Sequence, residues 1–127
     1  MTTLTQGKTA GEFIVSELPA GSTGVSPCRD VITVVSGQTL VAGSVLGKIT
    51  ASGKYAIYDN AAVDGTQAAV GLLFDAVDAS AADADGVGII RGTMEYNLAE
   101  VTWNTGALQA EIDAGVADLL ALGIIAR

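Results

Sequence analysis

An acidic segment, Asp75–Gly86, is the strongest candidate in the sequence for a metal site. It reads DAVDASAADADG and carries four aspartates in twelve residues. A calcium loop of the helix–loop–helix type requires oxygen ligands at positions 1, 3 and 5, glycine at 6 and glutamate at 12. When the last glycine of the segment takes position 6, Asp83 and Asp85 fall at 3 and 5, but Ala81 and Gly92 fall at 1 and 12. Because two essential ligands are missing, the sequence predicts a solvated acidic loop and no bound metal.

The residue types that usually perform catalysis are missing or isolated. The chain has no histidine, which removes the commonest general base and excludes a Cys–His nucleophile. Its single cysteine, Cys28, is interpreted as a small buried or half-buried side chain, with a reactive thiol as the alternative. The glycines of Gly86–Gly92 do not match a G-x-G-x-x-G turn, and the spacing of Glu95 and Glu100 does not fix the carboxylate separation that sugar hydrolysis requires. We therefore predict no catalytic residues, no cofactor and no enzymatic activity.

The charge of the chain excludes two classes of partner. Fourteen acidic and six basic residues give a net charge of −8. The lysines and arginines are scattered singly, whereas phosphate backbones and anionic membrane surfaces bind clustered positive charge. The longest apolar stretch, Leu119–Ala126, is too short to cross a bilayer, and the N-terminus lacks the basic start and apolar run of a signal peptide. We expect a protein that is made in a cytoplasm and binds neither nucleic acid nor membrane.

Glycines and β-branched residues divide the chain into short strands. Sixteen glycines and two prolines in 127 residues are typical of many tight turns, and the half of the residues that are hydrophobic supports one buried core. The run VITVV, Val31–Val35, is the clearest strand. Further strands are predicted over residues 12–17, 44–50, 55–58, 68–74, 87–91, 93–96 and 124–127.

One segment near the C-terminus has the spacing of a helix. Apolar residues recur every three or four positions over residues 107–122, and Gly123 lies where a glycine commonly ends a helix. The predicted fold class is therefore mainly β with one or two helices, in a single domain. Leu119 and Leu120 together cover more than one helix face, and Trp103, the only tryptophan, precedes the helix. Each of the three has two interpretations, a place in the core or a contact with another subunit.

The first eleven residues differ in composition from the rest of the chain. They are small, polar and rich in threonine, with one isolated leucine. We expect residues 1–11 to form a mobile arm and residues 12–127 to form the single β-rich domain. The arm itself has two interpretations, a disordered tail or a segment that becomes a strand beside the sheet edge of a partner.

An ordered series of motifs resembles the lambda-type bacteriophage head decoration proteins. The motifs are GSVLG at Gly43–Gly47, GKY at Gly53–Tyr55, DG at Asp64–Gly65, AVGLL at Ala69–Leu73 and RGTMEYNLAEVTW at Arg91–Trp103. They follow one another in the order of the family, and the likeness covers residue 11 to the C-terminus. The segment Leu18–Cys28 carries no motif that matches.

This resemblance implies a fold, an assembly and a partner. The fold is a β-clip, a long two-stranded ribbon that is sharply bent in two places. The assembly is a homotrimer, made in the host cytoplasm, which binds the major capsid protein at three-fold positions on the outer surface of the expanded head. There it stabilises the head against the pressure of packaged DNA. By position, the arm residues that pair with the capsid are Thr2, Thr3, Leu4 and Thr5.

Two other functions stay open from the sequence. One is another phage structural trimer, such as a part of a tail or baseplate, because composition distinguishes poorly between such a protein and a head decoration protein. A β-clip module for a small molecule or a carbohydrate would be a monomer with one concave, aromatic-lined pocket. The six aromatic residues are spread along the chain, which argues against such a module.

Overall fold

The computed structural model describes residues 8–17 and 28–127, which form ten strands and one helix. In chain order these elements are β1 (Ile14–Glu17), β2 (Arg29–Val34), β3 (Gln38–Leu40), β4 (Val45–Lys48), β5 (Tyr55–Ile57), β6 (Gly71–Leu73), β7 (Val77–Ala79), β8 (Ala84–Ile89), β9 (Met94–Tyr96), α1 (Gln109–Ala121) and β10 (Ile124–Ala126). The mainly β fold class predicted from the sequence is confirmed. Within the described ranges, no helix is long and apolar enough to cross a membrane.

Five of the strands close into a small barrel in the order β2-β5-β4-β6-β8. Its longest pairing joins β2 and β8, which run antiparallel along the full length of both strands. Ile32 and Val34 are buried in the barrel core, because successive side chains of a strand point to opposite faces. The two-stranded sheet of β3 and β7 packs against the same core through Leu40, Val77 and Ala79.

A second sheet lies against the barrel and is formed by β1, β9 and β10. The central strand is β9, which pairs antiparallel with β1 and parallel with β10. Phe13, Met94, Leu119 and Ile124 are buried in one cluster that also contains Leu72 of the barrel strand β6. Because this cluster joins the second sheet and α1 to the barrel, the described residues form a single domain, as predicted.

The C-terminal end of the helix lies where the sequence predicts it. Gly123 adopts a φ of +86°, the left-handed conformation that favours glycine just past the last turn of a helix. A Cβ atom at this position would lie 2.8 Å from the carbonyl oxygen of Gly92, so glycine also allows the chain to pass close to the segment before β9. The predicted last strand follows directly as β10.

The acidic segment is not only a loop, which corrects the prediction from the sequence. Val77–Ala79 forms β7, and β8 already begins at Ala84. Val77 and Ala79 are buried while Asp78 is exposed, which is the alternation of a half-buried strand. Three residues are too few for this period to stand out among the nine other residues of the segment, which are all small or acidic. The strand predicted over residues 68–74 is likewise shorter, Gly71–Leu73.

Candidate functional site

The aspartates that the sequence suggested as metal ligands are bonded to separate partners. Asp83 forms an ion pair with Lys54 at 2.5 Å and accepts a hydrogen bond from the Ser36 N–H at 2.8 Å. These two partners, Lys54 first, hold the pKa of Asp83 below its ordinary value. Asp85 accepts a hydrogen bond from the Thr33 hydroxyl on the facing strand at 2.9 Å. No group of three or more metal-ligating side chains occurs among the described residues, so the aspartates fasten turns and strands.

The two glutamates considered for sugar hydrolysis are also paired separately. Glu95 forms an ion pair with Arg127, which lowers the pKa of Glu95. This shift is opposite to the raised pKa that a general acid requires. Glu100 lies 3.7 Å from Lys8 Nζ, and the same ammonium donates to the Glu100 carbonyl at 2.8 Å. Glu95 therefore holds the C-terminus, and Glu100 holds the start of the described residues at Lys8.

All six basic side chains are engaged within the chain. Five of them form the ion pairs Lys8–Glu100, Arg29–Glu17, Lys54–Asp83, Arg91–Asp30 and Arg127–Glu95. The sixth, Lys48, lies over the Tyr55 ring with its Nζ 5.7 Å from the ring centroid. The segments outside the described ranges contain no lysine or arginine. Each basic side chain therefore contacts groups of its own chain, and this arrangement does not provide the clustered positive charge that phosphate binding requires.

The arm that the sequence predicts lies mostly outside the described part of the chain. This holds for all four residues expected to pair with a capsid, Thr2, Thr3, Leu4 and Thr5. From Lys8 onward the chain contacts the domain, first through the ion pair with Glu100. The Gly11 N–H then donates to the Phe74 carbonyl at 3.0 Å. These contacts hold residues 8–11, the described part of the predicted arm, against the domain.

The two adjacent leucines of helix α1, Leu119 and Leu120, differ in how far they are buried. Leu119 is fully buried in the core, whereas Leu120 is 57% exposed. Leu119 therefore packs within its own chain, and only Leu120 of this pair has surface to offer to another subunit. Leu108 and Leu122, which flank the helix, are also exposed. Three of the exposed positions between them are alanines, at 110, 117 and 121. Much of the solvent side of α1 is therefore apolar.

Trp103 is half-buried and lines a cleft. Its ring meets Tyr58 edge to face, with the ring centroids 6.0 Å apart and the planes at 71°. The Tyr58 hydroxyl donates to the Glu111 carbonyl of α1 at 2.9 Å, so the aromatic pair is tied to the helix. The cleft has a volume of about 330 Å³, and its other lining residues include Gln38, Thr39, Thr102 and Asn104. Trp103 is the one aromatic residue that lines it, which differs from the aromatic-lined pocket expected of a carbohydrate module.

A second, apolar groove lies on the outer face of the barrel, and the sequence did not indicate it. Five residues bound this groove of about 400 Å³, which we call the Val31 groove: Arg29, Asp30, Val31, Phe74 and Val87. Val31 is 69% exposed although it lies in the middle of β2. The run VITVV is β-branched throughout and Thr33 is its only polar residue, so its composition does not single out Val31 as exposed.

Comparison with known families identifies the class of protein that carries these surfaces. A family model for bacteriophage lambda head decoration protein D matches residues 3–124. The chain belongs to this family. No curated protein matches the chain. The head decoration family is a structural one, so this is a phage structural protein that associates with the capsid and decorates the phage head.

A head decoration protein acts through contacts, and the geometry offers three surfaces for them. They are the exposed apolar side of α1, the cleft beside Trp103, and the Val31 groove. The match to this head decoration family begins at residue 3, within the arm, and therefore includes most of the residues that the sequence assigned to capsid pairing.

Proposed function

We propose that this protein binds as a homotrimer to the outer surface of the expanded phage head, at its three-fold positions, and stabilises the head against the pressure of packaged DNA. The match of the head decoration family over residues 3–124 is the observation that carries this proposal. The β-clip description of the fold belongs to the same proposal. The protein acts by contact alone and therefore needs neither a catalytic residue nor a cofactor.

The apolar side of α1 supports the trimer. Leu120 and Leu108 keep more than half of their surface exposed in the isolated chain. Burying the remaining surface of one such leucine contributes about 1 kcal/mol, and a trimer multiplies this by its three symmetric contacts. We assign the subunit contact to Leu120 and, at a separate position beside Gly115, to Trp103, whereas Leu119 is buried in the core of its own chain.

The arm supports the attachment to the major capsid protein. Thr2, Thr3 and Thr5 are β-branched, and an uncharged segment of this kind suits addition to the edge of a partner's sheet through backbone hydrogen bonds. A trimer presents three arms, so binding of the first raises the effective concentration of the other two for neighbouring capsid subunits. The weak contacts of the three arms together then hold neighbouring capsid subunits in place and resist expansion of the head.

Binding to undecorated heads tests the proposal directly. Purified protein is sedimented with expanded heads that lack decoration, and the pellets are imaged by cryo-electron microscopy. We expect saturable binding and density at the three-fold positions of the outer surface. Absence of binding to these heads, with monomers alone in solution, would refute the proposal.

Replacement of Leu120 by glutamate is expected to convert the trimer into a folded monomer. The charge would be placed in an apolar contact, where an unpaired carboxylate is costly to desolvate. Light scattering measures this as a fall from about 38 kDa, three times the mass of one 12.7 kDa chain, to the mass of one chain. Val63→Glu is the control, because Val63 is 95% exposed in a loop and is not part of α1. A Leu120→Glu protein that remains trimeric would exclude Leu120 from the subunit contact.

A further inference from the structure

The Val31 groove exposes apolar side chains on the outer face of the barrel. Val31 lies opposite Val87 in the β2–β8 pairing, so the two side chains share the outer face of the barrel. Phe74 forms one wall, and the Arg29 guanidinium lies over its ring, 4.0 Å from the centroid. A central, β-branched strand residue that remains 69% exposed beside a valine and a phenylalanine is typical of a contact surface.

The charged groups around the groove are already neutralised within the chain. Arg29 is paired with Glu17, and Arg91 is paired with Asp30 across the two strands. These ion pairs hold the rim in place and leave no single charge that would require a counter-charge from the bound partner. The groove therefore suits an uncharged, apolar segment.

Within the described ranges, β2 has a neighbouring strand along its whole length on one side only. On one side β2 pairs with β8 along its whole length, whereas on the other side it meets β5 at Val34 only. The Ile90 N–H donates to the Cys28 carbonyl on the β8 side, and the Val35 N–H donates to the Tyr55 carbonyl on the β5 side. By the alternation of a strand, the backbone groups of Val31 and Thr33 point away from β8. Two backbone groups on this side are already bonded within the chain, because the Val31 N–H donates to the Asp30 carboxylate at 2.9 Å and the Arg29 carbonyl accepts from the Arg91 guanidinium at 3.3 Å. A partner therefore meets the side chain of Val31 here rather than a continuous row of open backbone groups.

The groove adjoins the root of the arm. Phe74, its wall, accepts a hydrogen bond from the Gly11 N–H at 3.0 Å, three residues after Lys8, where the described chain begins. A macromolecule that pairs with the preceding residues, as proposed for the arm, therefore contacts the chain within a few residues of the groove. On the proposed function that macromolecule is the major capsid protein.

We propose that the Val31 groove binds an uncharged, apolar segment of the major capsid protein, which packs an apolar side chain against Val31. This inference rests on the proposed function and adds a second contact to the one made by the arm. Two contacts of each subunit, one through the arm and one through the groove, fix the orientation of the trimer on the head.

The test compares Val31→Glu with Val63→Glu in binding titrations on undecorated, expanded heads. Both variants add one carboxylate at an exposed valine, but only the first lies in the groove. We expect Val31→Glu to weaken binding by about tenfold or more, as for a central contact residue, while Val63→Glu binds like the wild type. Val31→Thr, which keeps the shape of the side chain, is expected to weaken binding by about threefold. The melting temperature and the trimer mass of all three variants should equal those of the wild type.

Each other outcome decides against a stated part of the argument. If the wild type binds heads and Val31→Glu binds equally well, the groove does not contact the capsid, and the proposed function stands without it. If Val31→Glu dissociates the trimer while Val63→Glu does not, the occupant is a second copy of this chain, and the inference is overturned. If the wild type does not bind heads, the proposed function itself is refuted.

Discussion

Deletion of residues 2–7 is expected to abolish binding to phage heads while leaving the domain folded and trimeric. The deletion removes the threonines assigned to strand pairing. The shortened protein retains Lys8 and Gly11, which contact the domain. Loss of the backbone hydrogen bonds of one arm weakens each subunit's contact. Because the three arms act together, we expect the affinity of the trimer to fall by about a hundredfold or more, which corresponds to roughly 3 kcal/mol. Sedimentation with heads measures the loss, and the melting temperature measures the integrity of the domain.

A pair of arm variants separates strand pairing from other forms of contact. Replacing Thr3 and Thr5 by proline removes two backbone N–H donors, whereas replacing both by valine keeps the donors and the β-branched shape. If the arm binds as a strand, the proline variant loses binding and the valine variant keeps it. Undiminished binding of the truncated protein would contradict the role of the arm and leave the remaining surfaces as the attachment.

Replacement of Gly65 by alanine is expected to prevent stable folding. Gly65 has a φ of +112°, and a Cβ atom there would overlap the carbonyl oxygen of Lys48 and the Thr50 hydroxyl. Lys48 cannot move aside easily, because its strand β4 pairs with β5 at Tyr55. The Thr50 N–H also donates to the Asp64 carbonyl at 2.9 Å, which holds the loop against the strand. Steric overlap with fixed backbone costs more than about 4 kcal/mol, beyond the usual effect of a single substitution.

Gly106→Ala is the matched control for this substitution. Gly106 also has a positive φ, +80°, but a Cβ atom there meets no atom within 4 Å. The alanine then bears only the backbone cost of the left-handed conformation, about 1 kcal/mol, which lowers the melting temperature by about 4 °C. Thermal unfolding followed by circular dichroism compares the two variants. Equal melting temperatures would show that the close approach at Gly65 does not limit stability.

The local elements of this protein are largely readable from its sequence. The helix ends just before Gly123, as the pattern predicts. Most of the strands lie inside the predicted ranges. Cys28 is buried, as its interpretation required. The family motifs likewise indicated the head decoration family, to which residues 3–124 belong. Such features depend on near neighbours in the chain, where residue type and spacing carry the information.

The surfaces of the molecule were not readable in the same way. Leu119 and Leu120 are adjacent leucines in one helix, yet one is buried and the other exposed. Val31 and Ile32 are adjacent β-branched residues in one strand, yet Ile32 is buried in the barrel while Val31 lines an open groove. The motif glycine at Gly65 is required because a distant strand passes beside it. The sequence by itself determined the elements, their ends and the scarcity of reactive groups. Only the tertiary structure decided which face of each element is covered, because that depends on packing between residues far apart in the chain.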